Sequence, residues 1–441
     1  DSRKWRKIYR EVFPWNEAQL LLFDIASNWD SPLLSNGKEA IAVEAVAGAG
    51  KTTTIYGLVA ALPSSYKIAI AAFNVHIAEK IKNDKRIPKG RVSVSTAHSF
   101  GLGLLCARFG RENLIVDKAK YSKLIKSNII QELFKLQQEF RSDRDNLTPK
   151  DIEEKWLFPP PFYDERTKQG KAKFNGFIRL IVKICSMARK SLCLPHFQSF
   201  LDMVNYYGLE DGFAPAEVIY GIVLALKAMD FAEKTFPENG TIDFDDMLYL
   251  PWKLGLKPAE KNCLIVDEAQ DANAAMLALY ESYVCQGAKI IYIGDRSQAI
   301  MGFTGAGVDS WQRLEERFGG IKVGLDITYR CPRSHVALAF KVVERIRAWD
   351  EKGEGAIEVA LLSRALEKVK AGDLLICRVN FPLIAVCLKL IKQRLRAVVR
   401  GRDISVRLIA LAVKAVDNQI DFWPGNFINL LNIYVEKQVR L

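Results

Sequence analysis

Residues 42–54, A-V-E-A-V-A-G-A-G-K-T-T-T, limit what this chain can fold into more than any other stretch. An apolar, β-rich segment at 40–43 feeds a loop of small residues closing on Gly50-Lys51-Thr52, and an apolar helical pattern runs on over 53–62. Strand, tight loop and helix start bring backbone N–H groups and the positive end of a helix dipole to one point, which suits a polyphosphate. Ala47, Gly48, Ala49, Gly50 and Thr53 make the cradle. Lys51 is placed as a point charge for the β- and γ-phosphates, and the Thr52 hydroxyl for a magnesium ion. Ala45 stands where the strict G-x-x-x-x-G-K-[ST] pattern has its first glycine. A small-residue turn that holds Gly-Lys-Thr by chance would read the same way, so a second, carboxylate-bearing motif has to decide.

That motif follows an apolar strand expected at 262–266, which delivers Asp267-Glu268-Ala269-Gln270-Asp271 at its C-terminal end. Phosphoryl transfer to water needs one carboxylate to hold magnesium through its waters and a neighbour to orient and deprotonate the attacking water. Asp267 takes the metal side and Glu268 the base. A further strand at 289–293 delivers Gly294-Asp295-Arg296-Ser297-Gln298, where the Gln298 amide can sense the γ-phosphate and Phe303 can meet a base. The alternative is a polar strand-end turn with Phe303 in the core. Residues 325–330 resemble a strand ending in Tyr329-Arg330, and an arginine brought in from a second domain can stabilise transition-state charge. Otherwise Arg330 caps or bridges locally. Near the N-terminus Pro14 can start a helix carrying Gln19, whose amide can read an adenine edge or lie on the helix surface.

Strands expected at 67–73 and 91–96, each followed by a helix, alternate as in a parallel sheet, whose ligands collect beyond the strand ends. Phe73, Asn74, His98 and Phe100 fall there. From about 106 to 239 the strand pattern gives way to helical periodicity, which reads as a helical domain inserted into the first α/β domain. Within it, residues 166–190 carry eight basic residues and no acid, with Phe174 and Phe177 among them. That mixture suits a surface tracking a single strand, or a solvated helix face with both Phe turned inward. A buried strand is expected at 373–377, ending in Arg378-Val379-Asn380, with a second basic cluster (Lys392, Arg394, Arg396, Arg400, Arg402, Arg407) beyond it.

At 441 residues the chain is long enough for two or three domains, and its net charge of +12 suits a polyanionic partner. The eight cysteines form no C-x-x-C pair and read as reduced core residues, so no structural metal is expected. The longest apolar run, 218–226, is too short to cross a bilayer, and the charged N-terminus is no secretory signal, which points to the cytoplasm. The chain starts at Asp1, as a fragment or processed product would.

The motifs A-x-x-G-x-G-K-T, A-F-N, T-A-H-S-F, I-D-F-D-D-M, V-D-E-A-Q-D, G-D-x-x-Q-x-I-x-G-F-x-G-A and T-Y-R occur in the order seen in UvrD/Rep-type superfamily 1 DNA helicases. The wording is most similar to the F-box DNA helicase branch and its bacterial and phage relatives, where Ala45 is accepted. The resemblance spans about 19–380. It implies an α/β fold of RecA-like P-loop NTPase lobes, parallel sheets with helices on both faces. The first lobe would be 1–105 plus 240–318, with a helical DNA-binding subdomain at 106–239 and a partial second lobe at 319–441. It further implies ATP and Mg2+ as cofactors and 3′ to 5′ movement on single-stranded DNA, forks or gaps included, in replication, recombination or repair. Gln19 would read adenine with Tyr329 stacked on it. Lys51, Thr52, Asp267, Glu268, Gln298 and Arg330 would form the hydrolytic centre, and Phe73, Asn74, His98, Phe303 and Asn380 the DNA path. The location would be bacterial or phage-infected cytoplasm, or the nucleus of a eukaryote.

Two departures qualify this. Met301, Phe303 and Thr304 stand where many relatives place Tyr, Trp and Arg, which predicts a weaker DNA grip. The last histidine is His335, so no later T-x-H-x-x-K-G-type motif occurs before Leu441 and the second lobe is expected to be incomplete. The competing expectations are a nucleotide-gated single-stranded DNA-binding fragment without productive hydrolysis, and the motor part of a helicase-nuclease.

Overall fold

Short apolar runs with no polar alternation become strands buried on both faces, the signature of a parallel sheet covered by helices. The computed structural model describes residues 15–30, 39–299, 305, 310–377 and 380–399, and it builds four such runs into the centre of one six-stranded sheet, with an alternating, less buried strand at each edge. Helix α1 (Glu17–Ser27) leads to β1 (Ala40–Ala45) and α2 (Lys51–Ala61). Then come β2 (Ile68–Ala72), α3 (Val75–Lys82), β3 (Val92–Thr96) and α4 (Ala97–Phe109).

The insert opens with β4 (Ile115–Val116) and α5 (Lys120–Leu124), which passes through one π-helical turn into α6 (Ile130–Asn146). Helices α7 (Pro149–Lys155), α8 (Lys168–Ser191), α9 (Phe197–Tyr206) and α10 (Pro215–Asn239) complete it. Strand β5 (Thr241–Ile242) pairs with β4 and so ties the two ends of the excursion together. The α/β pattern resumes with α11 (Asp246–Lys253), β6 (Cys263–Val266), α12 (Ala274–Val284), β7 (Lys289–Gly294), α13 (Ser310–Phe318) and β8 (Ile321–Leu325).

The sheet order is β3-β2-β6-β7-β1-β8, with every pairing parallel. Alternate side chains enter two cores. Val43, Ile70, Ile265 and Ile291 face one, with Phe23 and Leu58, while Leu264, Ile290 and Tyr292 face the other, with Tyr280 and Trp311. Strand β8 pairs with β1, so the first sheet ends one strand beyond the boundary expected at 318. A third core fills the insert and runs on into Leu105 and Leu250, which seats the helices firmly on the lobe. There Gly101 lets α4 meet α11, since a Cβ would lie 1.9 Å from the Met247 carbonyl oxygen.

Past β8, the chain forms β9 (Ile327–Thr328), α14 (Arg333–Phe340) and β10 (Arg347–Ala348), with β9 and β10 paired in parallel. Residues through Gly355 make one compact unit, and a second begins at Ala356. The described part of that unit holds α15 (Leu362–Lys368) and α16 (Asn380–Lys392). The buried strand expected at 373–377 is instead exposed coil, with Ile376 85% exposed, because no partner strand exists among the described residues of this unit.

Two other expectations need correction. Arg189, counted with the surface cations, is buried, and so is Phe177. The basic surface on α8 is therefore confined to residues such as Lys168, Lys171, Lys173 and Arg179, which are exposed. Of the eight free cysteines, Cys185 and Cys263 are buried but Cys285 and Cys377 are exposed, so they are not uniformly core residues. Among the described residues no helix is long and apolar enough to cross a membrane.

Candidate nucleotide-binding and hydrolytic site

Because the strands are parallel, their C-terminal ends share one edge of the sheet, where the crevices of open α/β sheets bind ligands. Strand β1 releases the chain at Ala45 and α2 begins at Lys51. Between them Gly48 and Gly50 take φ of 79° and 82°, left-handed values that favour glycine. Gly48 is also a point of close approach. A Cβ there would lie 2.6 Å from both the Arg330 Cβ and the Thr328 Oγ1, and its carbonyl accepts from the Tyr329 N–H at 3.0 Å. The T-Y-R segment thus sits directly against the phosphate loop, with the Arg330 side chain exposed beside it.

At the end of β6, two strands from β1 across β7, Glu268 has φ 48°, unusual for a residue with a side chain, and local strain of this kind collects at functional sites. The turn brings its carboxylate to Lys51, with Nζ 2.5 Å from Oε2. Asp267, buried at the end of β6, accepts from the Glu268 N–H at 3.1 Å and has no other protein donor among the described residues. Burial, then the charge of Glu268, pushes its carboxyl up to about 6, with Lys51 opposing. A buried carboxylate left short of donors fits a hydrated divalent cation, and Thr52, in the first turn of α2, fits as its companion. Asp271 is likewise pushed up to about 6 by burial and by Glu268, and its buried Oδ1 has no partner among the described residues.

Gln270 completes the edge and was given no role by sequence reasoning. It is 2% exposed and uses both amide atoms: Nε2 donates to Glu268 Oε2 at 3.0 Å, and Oε1 accepts from the Asp295 N–H at 3.0 Å. Asp295 in turn accepts from Gln298 Nε2 at 2.6 Å. A continuous run of hydrogen bonds therefore joins Lys51, Glu268, Gln270, Asp295 and Gln298 across three strand ends, those of β1, β6 and β7. Only the pairing of β6 with β7 makes this legible, and no spacing in the sequence announces it.

Gln19 does not lie on the helix surface, the alternative expected for it. It is fully buried, donating to Thr54 Oγ1 at 2.9 Å and closing a capping box with Asn16. Its amide is committed to the α1 N-terminus and the start of α2, so an adenine edge would have to displace one of those bonds. Asn16, also missed, donates to the Tyr329 hydroxyl at 3.1 Å and so fixes that ring near the loop. The N-x-x-Q capping signal was present in the sequence.

Of the residues assigned to the nucleic-acid path, Phe73 and His98 come together. They line one small cleft with Asp267, Glu268 and Asp271, at the ends of β2, β3 and β6. Phe73 is exposed, and Asn74 caps α3 by accepting from the Ile77 N–H at 2.9 Å. Burial lowers the His98 imidazole below its usual range, with Asp245 opposing and Lys190 adding to the effect. Phe100 packs against Tyr283 and belongs to the core. Phe303, with Met301 and Thr304, lies outside the described residues, as do Arg400, Arg402 and Arg407. Asn380 begins α16 in the second unit.

A lysine from one strand end ion-paired to an acid from another, on the open edge of a helix-covered parallel sheet, defines a P-loop NTPase lobe of RecA-like fold. The family model of the UvrD/REP helicase N-terminal domain matches residues 30–319, and the chain belongs to that family of helicases. A comparison with curated proteins gave no match.

Proposed function

We propose that the chain is an ATP-driven translocase that moves 3′ to 5′ along single-stranded DNA. The observation that carries this is the Lys51–Glu268 pair, because it brings the phosphate-binding cation and the water-activating base within 2.5 Å of each other. Magnesium, held through Thr52 and Asp267, would offset charge on the triphosphate oxygens. When ATP enters, Lys51 exchanges the carboxylate for phosphate oxygens, and Glu268 becomes available to orient and deprotonate a water. Gln270 keeps its hold on Glu268 Oε2 through that exchange. Gln298, anchored on Asp295, senses the γ-phosphate, and Arg330 reaches it from beside Gly48. Phe73 and His98, in the cleft that also contains Glu268 and Asp271, carry the change to the bound strand.

The test is ATPase turnover with and without single-stranded DNA, with Lys51→Ala as control, and unwinding of duplexes bearing a 3′ or a 5′ tail. The motor reading requires stimulation by DNA, its loss in Lys51→Ala, and a preference for the 3′ tail. DNA affinity without stimulated turnover would return the nucleotide-gated binding fragment, and preference for the 5′ tail would overturn the direction.

A further inference from the structure

A cleft of about 380 Å³ lies wholly within the helical insert, between α6, the segment before α8, and α8 itself. Phe134, Gln138 and Arg141 reach it from one face of α6, being spaced four and three residues apart. Across it, the Phe134 and Phe174 rings are nearly parallel, 17° apart with centroids at 6.4 Å. Phe162 is 63% exposed, and the Arg141 guanidinium lies over its ring, 4.7 Å from the centroid. The walls are held in place. The Tyr163 hydroxyl donates to Glu217 at 2.6 Å while its ring packs on Phe174, and Gln137 Nε2 ties α6 to the Pro161 carbonyl at 2.6 Å.

Arg141 and Glu165 are the charged residues that line the cleft. Lys171 lies one turn before Phe174 on the same side of α8. Neither Lys171 nor Arg141 has a carboxylate within ion-pair distance among the described residues. Exposed ring faces, an open amide at Gln138 and unpaired cations at one opening match a planar, hydrogen-bonding ring that carries phosphates. A hydrophobic peptide would leave the cations unused.

We propose that this cleft seats an unpaired nucleobase of a bound nucleic acid, stacked on Phe162 and the Phe134–Phe174 pair, with its flanking phosphates on Arg141 and Lys171. The proposal rests on the DNA-motor reading and adds to it a second contact point, separate from the sheet edge.

Fluorescence anisotropy on a mixed-sequence single-stranded oligonucleotide, and on the same length with abasic sites, tests it. Phe162→Ala is expected to weaken the first about 5- to 100-fold and leave the second unchanged, the range that one base–aromatic stack commands. Phe162→Leu keeps an apolar side chain but no ring face and should match Phe162→Ala. Arg141→Ala should weaken both oligonucleotides and flatten the salt dependence by roughly one phosphate contact. Equal losses on both oligonucleotides for Phe162→Ala, no loss on either, or full affinity in Phe162→Leu would each overturn the proposal. No loss on either would leave the cleft to a protein partner. Failure of the motor reading shows separately, as wild-type ATPase turnover that DNA does not stimulate.

Discussion

Among the described residues, Arg189 and Lys51 each sit among carboxylates, the first fully buried and the second partly so, and the two clusters are built to opposite ends. In the insert, the Arg189 guanidinium meets Asp243 at 2.5 Å and Asp246 at 2.7 Å, stacks over Tyr121, and is joined by Lys120, 2.7 Å from Asp246. Burial pushes both acids up; at Asp246, Arg189 and Lys120 outweigh it and hold the group below its usual range, while at Asp243 burial prevails over Arg189 and the group stays raised. At the sheet edge, Lys51 satisfies one carboxylate, while Asp267 and Asp271 stay short of partners and are raised to about 6. A cluster that only has to fix helices can neutralise itself. One that must take up a charged ligand has to be left unbalanced, with the ligand supplying the rest.

Breaking each cluster at its centre should separate these roles. Glu268→Gln keeps the shape but removes the base, and DNA-stimulated ATP turnover should fall about 10²- to 10⁴-fold with the melting temperature nearly unchanged. Arg189→Met should do the reverse. It strands buried carboxylates, which costs about 3 to 5 kcal/mol of stability, and the combination with Asp243→Asn, which leaves Asp246 paired to Lys120, should recover most of that loss. Chemical denaturation of the two variants reads this directly. A stable Arg189→Met protein would mean that water already solvates those acids.

Titration sharpens the contrast. The Asp267 carboxyl is raised in the folded state, so the native protein holds a proton that the unfolded chain has released between about pH 4 and 6. Its contribution therefore favours folding below that window and is lost as pH rises through it. Asp267→Asn should be more stable than wild type at pH 7 by roughly 3 kcal/mol, converge with it near pH 4, and be inactive. Identical denaturation profiles for the two proteins across pH 4 to 7 would show that Asp267 is not held out of water.

The unbalanced cluster was legible in the sequence and the balanced one was not, for a physical reason. A phosphate site needs a glycine-rich loop and acids at strand ends, and those demands fall on consecutive residues, 47–53 and 267–268, that a reader can see. The central strands were also visible as apolar runs and β3 as an alternating one; β8, whose exposed Lys322 and Gly324 alternate with buried Val323 and Leu325, marks the other edge. Arg189 pairs with acids more than fifty residues away, and in isolation it looked like one more cation on an α8 rich in them. Gln19 looked like a free amide because its partner Thr54 lies 35 residues along the chain. The exposed 373–377 stretch was misread because apolar composition alone cannot supply a partner strand.

The smallest effect lies where the comparison is finest, at Gln270. Its amide spans Glu268 and the Asp295 backbone, so it belongs to the reactive edge yet is itself fully satisfied, like the residues of the insert. Gln270→Ala removes both bonds, and two effects are expected, about 1 kcal/mol of stability from the lost hydrogen bonds and about tenfold in turnover from a base that is less well held. Gln270→Glu separates them. Its acid keeps the acceptor for the Asp295 N–H but sets a second negative charge against Glu268, which should raise the apparent pKa of the base and shift the acid limb of the pH–rate profile upward. A purely structural glutamine would lower stability in both variants and leave that limb where it was.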